Sequence, residues 1–281
     1  MAEQQTNPLA QFYRTEAFRA KLPSQGNFYE DGILKLDDNG EIGILPMTAQ
    51  DELILKSPDA LLTGKAIVDV IKSCVPEVIN PKKLLSCDID ALMISIRRAS
   101  YGDNADMKIE CPECGVENTF TIDLDSVLNR SETLESSYEV ILPQGLTVFL
   151  KPGNYETLIK QYKAAFENAK AQRAIARSIS DDAALSLLSD AFRELTKLNF
   201  QLINDAIVKV VFTVNDEEKV ITNKKHISEF ITNIDKKSVD IIDEKIGEIN
   251  KVGIQRTHKA ICKECGHEWE AEIEFNPVNF S

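Results

Sequence analysis

The chain has 281 residues, a net charge of −13, 43% hydrophobic and 27% charged residues. This is the composition of a soluble globular protein, long enough for a substantial core and for two domains. The acidic balance excludes a dominant phosphate-binding surface, because nucleic-acid affinity draws on Lys and Arg. No apolar run approaches the roughly 20 residues that span a bilayer. The start, MAEQQTNPLAQFYRTEAF, lacks the basic and then apolar order of a secretion signal.

Residues 1–20 read as an N-terminal arm carrying Phe12, Tyr13 and Phe18, aromatics suited to docking on a partner or on the chain's own domain. Turn formers Pro23, Gly26 and Gly32 follow. Ile33–Leu36 and Ile42–Leu45 flank Asp37-Asp38-Asn39-Gly40, which predicts a hairpin. Thr48 with Asp51 three residues on predicts a capping box. Ile67, Val70, Ile71 and Cys74 keep helical spacing, so Cys74 belongs on a buried face. Asp88 or Asp90 is expected to cap the next helix, which ends near Tyr101-Gly102, with Cys87 just ahead of it as an inert thiol.

NRSETLESS, beginning at Asn129, reads as a linker, and YEVILPQGLTVFLKPGN as a hairpin turning at Pro143-Gln144-Gly145. Asn154 is placed to cap a helix with the stripe Leu158, Tyr162, Ala165, Phe166, Ala169, Ile175 and Ile179. A second helix carries Leu188 to Ile203 on one face. Two such helices are expected to pack on each other. Phe200, Val208, Val210, Val211 and Phe212 point to further burial as a strand or against another subunit.

Six cysteines are present, four of them in CPECG (Cys111, Cys114) and CKECG (Cys262, Cys265). Each pair is followed by a Gly and a strand pattern, ENTFTIDL or HEWEAEI. Two cysteines two residues apart grip one metal from a tight turn, and the Gly permits a backbone that a Cβ resists. Four ligands complete a tetrahedron, so Cys111, Cys114, Cys262 and Cys265 are read as one structural zinc site. Four cysteines in C-x-x-C pairs fit a reducing compartment better than a disulfide framework. The two knuckles are then halves of one zinc ribbon, opened to admit about half the chain. Loop-closure entropy grows only logarithmically, so a folded insert is tolerated. Iron bound by the same four thiolates stays open. A thioredoxin-like motif requires a helix start where strands are read here. A catalytic zinc keeps an open position that four thiolates close. His267 is expected to point out from the return strand. His226, His258 and His267 show no triad or metal spacing, and the Gly-Lys at Gly64-Lys65 lacks the rest of a phosphate loop.

The fold class is therefore α+β. Residues 21–130 form a hairpin-and-helix domain with the first knuckle. Residues 131–250 are a helix-rich insert with a β-hairpin. Residues 251–281 carry the second knuckle and complete the split ribbon.

The blocks LPSQGNFYEDG, ILPMTAQDELILKSPDALLTGKAIVDVIKSCV, DIDALMISIRRASYG and CPECG occur in this order. Together they resemble the T4-type bacteriophage baseplate protein family of myoviruses, whose members include hub subunits and hub assembly proteins. The resemblance covers about residues 21–130. It implies a structural or assembly role, without catalysis, at the hub of a contractile tail. It also implies hub or tail proteins as partners and assembly in the host cytoplasm, and leaves open whether such a protein stays in the virion tail baseplate or acts only as an assembly chaperone. The family's motif positions here include Pro58, Asp59 and Leu61, with Phe28, Tyr29 and Met47 as candidates for a partner surface. The alternative is a zinc-ribbon nucleic-acid-binding or transcription-type factor, against which the acidic balance counts. An enzyme with a structural zinc ranks last, since no acid, base or nucleophile arrangement is present.

Overall fold

The computed structural model describes residues 7–57, 63–175 and 181–273. Pro58, Asp59, Leu61 and Ile179 lie outside them. Helices and small antiparallel sheets alternate, as the α+β reading expects. Strand β1 (Phe18–Lys21) pairs with β2 (Glu41–Ile44), Phe18 opposite Ile44. The Asp37–Gly40 turn forms, its Asp37 carboxylate accepting from the N–H groups of Asn39 and Glu41. The strand before it is not the partner of β2, however. Ile33 and Leu34 turn away to pair with residues 78–80, and the end of the arm supplies the partner instead. Ile42, Gly43 and Ile44 are all buried: β1 pairs along one edge of β2, and Ile42 and Ile44 share a core with Ile71, Leu92 and Ile96.

Helix α1 (Ala49–Leu55) starts on the predicted capping box, with Thr48 accepting from the Asp51 N–H and Asp51 from the Thr48 N–H. Helix α2 (Lys65–Cys74) buries Ile67, Val70, Ile71 and Cys74, as its spacing predicts. Helix α3 (Ser86–Tyr101) differs at its start. It begins before Cys87, and neither Asp88 nor Asp90 caps it. Asp88 lies inside the first turn and faces the loop at 24–29, accepting from Ser24 N–H (2.9 Å) and the Tyr29 hydroxyl (2.6 Å). Tyr29 in turn accepts from the Leu85 N–H (2.8 Å). A phenol thus serves the helix end where a nearby carboxylate was expected. Burial drives the Asp88 carboxyl and the Cys87 thiol upward and holds Cys74 at about 11, which keeps both thiols inert.

Three cores meet on α3. Ile89, Leu92, Met93 and Ile96 join the first core with Leu22, Ile42, Ile44 and Ile71. Ala91 and Ile94 join Ala105, Ile122, Leu124, Ile254 and Ile273 beneath the cysteine hairpins. Cys87 belongs with Leu85 to the third, whose other buried members all follow residue 131. Those hairpins are β3 (Asn104–Glu110) with β4 (Glu117–Asp123), followed by α4 (Leu124–Asn129), and at the far end of the chain β9 (Thr257–Ile261) with β10 (Glu268–Glu272).

The segment after α4 is not a free linker. Leu134 is buried and its N–H donates to Pro23 C=O, while Glu132 N–H donates to Gly253 C=O. The chain then builds a four-stranded antiparallel sheet in the order β5 (Tyr138–Ile141), β6 (Thr147–Leu150), β7 (Ile207–Val214), β8 (Glu217–Ile221). The predicted hairpin is its first half. The second half turns at Asn215 and Asp216, both at positive φ (54° and 61°), as a two-residue hairpin loop requires. Between β6 and β7 run α5 (Tyr155–Ile175), started by Asn154 accepting from Thr157 N–H, and α6 (Asp181–Ala206). They pack on each other, yet Tyr162 (65% exposed) and Phe192 (60%) lie on uncovered surface. Helices α7 (Lys224–Asn233) and α8 (Lys236–Ile249) cover the sheet with Ile227, Ile231, Ile242 and Ile249.

The three candidate partner-surface residues are half-buried. Tyr29 packs between the first and third cores, Phe28 stacks on Tyr138 with ring centroids 6.0 Å apart, and Met47 lies against the first core. These are packing positions. The exposed aromatics include Phe12 and Tyr13 of the arm, besides Tyr162, Phe166 and Phe192 of the helix pair.

Candidate metal centre

Each knuckle is a strand, a tight turn and a return strand. In the first, Cys111 N–H donates to Val116 C=O (2.9 Å) and Gly115 N–H to Cys111 C=O (2.9 Å). In the second, Cys262 N–H donates to His267 C=O (2.9 Å) and Gly266 N–H to Cys262 C=O (3.0 Å). Gly115 and Gly266 sit at φ 71° and 72°, a left-handed conformation that L side chains resist. The same local chemistry therefore produces the same turn twice.

The two turns face each other. Cys111 Sγ lies 3.7 Å from Cys265 Sγ, and Cys114 Sγ 3.6 Å from Cys262 Sγ. All four sulfurs lie within 4.8 Å of one another. A tetrahedral ion at a Zn–S distance of about 2.3 Å puts its sulfurs about 3.8 Å apart. A disulfide needs about 2.05 Å. The four sulfurs are thus spaced for an ion at their centre and not for cross-linking. Cys111 and Cys262 are buried, Cys114 and Cys265 exposed.

The electrostatics agree. The N–H of Cys265, then that of Glu264 and the Asn118 amide, pull the Cys262 thiol down to about 6 against desolvation. Cys114 goes the other way, to about 12: the Val116 N–H favours its thiolate, but desolvation and the other three sulfurs outweigh it. Four sulfurs this close carry full charge together only around a cation.

Around the sulfurs, Phe120 meets His258 and Trp269 edge to face, at 5.9 and 6.1 Å between centroids. His267 stacks on Trp269 at 5.9 Å and is half-buried; it shares the covered face of the return strand with Trp269 and Ala271, so it does not point outward as expected. Asn118 was not singled out from the sequence. It is 3% exposed and hydrogen-bonds to Cys262 and Lys263 of the other knuckle. A signal did exist: the alternation of β4 puts Asn118 on the inward face with Phe120 and Ile122, where a bare amide is out of place.

A model of the T4 bacteriophage base plate protein family matches residues 18–279. The chain belongs to that family. The match runs through both knuckles and all that lies between them, well past the blocks before position 130 that carry the resemblance. It makes the protein a bacteriophage base plate component of the tail, with protein partners there. No curated protein and no solved structure matches the chain. Among the described residues, no helix is long and apolar enough to cross a membrane.

Proposed function

We propose that this base plate protein is a structural or assembly component of the baseplate hub, acting through protein–protein contacts and without catalysis. Cys111, Cys114, Cys262 and Cys265 hold one structural zinc ion that closes a split ribbon. The observation that carries the metal reading is the convergence of four sulfurs from two turns 148 to 154 residues apart in the chain. Four thiolates leave no position for substrate water, so the ion contributes folding energy and no chemistry.

The division into an arm (1–20), an α+β domain (21–130), an insert (131–250) and a ribbon-closing segment (251–281) is part of this proposal. The Glu132–Gly253 hydrogen bond supports it, since the insert then leaves and returns at one point. The partners are other hub or tail proteins. Assembly takes place in the host cytoplasm, before incorporation into the tail. Phe12 is 77% exposed, and with Tyr13 it is the first side chain to test for a role in docking.

The deciding experiment is affinity capture of the tagged chain from infected cells, with mature particles analysed separately. Recovery of hub and tail proteins is the expected result, weakened by a Phe12→Ala/Tyr13→Ala double substitution. Recovery of nucleic acid in their place, with salt-sensitive binding to duplex DNA, would support the zinc-ribbon nucleic-acid reading instead.

A further inference from the structure

We infer that Asn118 is a positioning residue of the metal centre, its side-chain amide aiming the Cys262 sulfur at the ion and holding the second knuckle in register with the first. This rests on the four-cysteine reading above and adds a residue outside the ligand set.

The geometry is fully specified. Asn118 Oδ1 accepts from the Lys263 N–H at 3.0 Å, and Nδ2 donates to Val116 C=O at 2.9 Å and to Cys262 Sγ at 3.5 Å. A backbone N–H only donates and a backbone C=O only accepts, so the two backbone partners fix the amide orientation independently. The nitrogen therefore faces the sulfur. An N–H aimed at a thiolate relieves part of the charge that four such ligands place around a dication, and it orients the sulfur lone pairs.

The two knuckles also differ at this point. Counted from the first cysteine of each pair, the position of Asn118 is taken in the second knuckle by Trp269, which packs on Phe120. The ribbon is thus symmetric in its turns and asymmetric in this contact: one amide serves Cys262, and an aromatic ring fills the matching place.

The test uses the full chain with Zn²⁺ and Co²⁺ as probes. Wild type, Asn118→Ala and Asn118→Asp are titrated in competition with a chromophoric chelator. Asp keeps an acceptor for Lys263 N–H and loses the donor to sulfur, so it separates tethering from positioning. Both variants are expected to lose roughly 10- to 100-fold in metal affinity, while still saturating with the same number of ions as wild type. Their sulfur-to-cobalt charge-transfer band is expected to move to longer wavelength, as a thiolate without its hydrogen bond is easier to oxidise. A mere loss of fold stability leaves that band in place. Wild-type affinity and an unmoved band in Asn118→Asp would overturn the inference, even if Asn118→Ala binds weakly. Failure of the wild-type chain to take up either ion overturns the four-cysteine reading itself, a separate and recognisable result.

Discussion

Arg14 anchors the arm. Its guanidinium donates to Pro46 C=O (2.6 Å), the Asp51 carboxylate (3.0 Å) and the Ser73 carbonyl (2.8 Å) and hydroxyl (2.7 Å). Asp51 is also the return half of the α1 capping box, so one carboxylate serves both a helix start and the arm. Burial raises its carboxyl, but the Thr48 N–H and hydroxyl and then Ser73 and Arg14 outweigh it, and the net shift is downward. A carboxyl with a depressed folded value stabilises above its unfolded pKa of about 3.9, and that contribution is lost as pH falls through the folded value. Asp51→Asn is therefore expected to cost about 1–2 kcal/mol at pH 7. The gap to wild type should narrow below about pH 4, as urea unfolding of both proteins across that range would show. Arg14→Ala should leave the cores intact and expose the arm, read as new proteolytic cuts before Phe18. An unchanged digest would show the arm to be held by β1 alone.

At the scale of elements, the ribbon is two hairpins that each form locally and work only together. Cys111→Ser and Cys262→Ser are expected to abolish tight zinc binding alike, from about one ion per chain, measured by elemental analysis of purified protein. Full zinc in either variant would mean that the two pairs do not share a site. How legible the elements were depended on range. The capping box at Thr48, the Asn154 cap and the turn at 143–145 involve partners within a few residues, and each forms as the sequence predicts. The partner of β2 was misread because strand pairing is non-local: the Asp37–Gly40 turn forms locally, but the tertiary fold brings β1 to β2. The β7–β8 hairpin was missed although Asn215-Asp216 carries its own turn chemistry. The apolar stripe of α5 is helical as read, but periodicity says only that a face exists and not what covers Tyr162 or Phe166.

At the scale of the whole molecule, the critical point is where Glu132 meets Gly253, the junction of the proposed insert. Gly253 sits at φ 129°, and a Cβ built there would lie 2.8 Å from the Cys87 Cβ. Its carbonyl accepts from Glu132 N–H. Gly253→Ala is thus both strained and overpacked, and should cost about 2 kcal/mol or more, read as a lower urea midpoint in far-UV circular dichroism. Chelation acts at the same junction from the other side. On the proposed metal site, chelation should speed cleavage around residues 130–137 and 251–273 while leaving the first core protected, because an ion held by both cysteine pairs would couple the ends of the proposed insert. Equal digestion with and without chelator would show that Leu134, Gly253 and the Asp90–Arg256 ion pair already hold the junction without it.

The sequence by itself determined the two knuckles, the helix starts that carry their own caps, the buried faces of α2 and the four cysteines. These depend on turn conformation, spacing and side chains within a few residues of one another. Only the tertiary structure decided that β1 completes β2 and that Asp88 and Tyr29 pin the start of α3. It also decided that Asn118 reaches across to Cys262 and that Glu132 meets Gly253. Each of these joins residues far apart in the chain, where the outcome is set by which surfaces must be buried together.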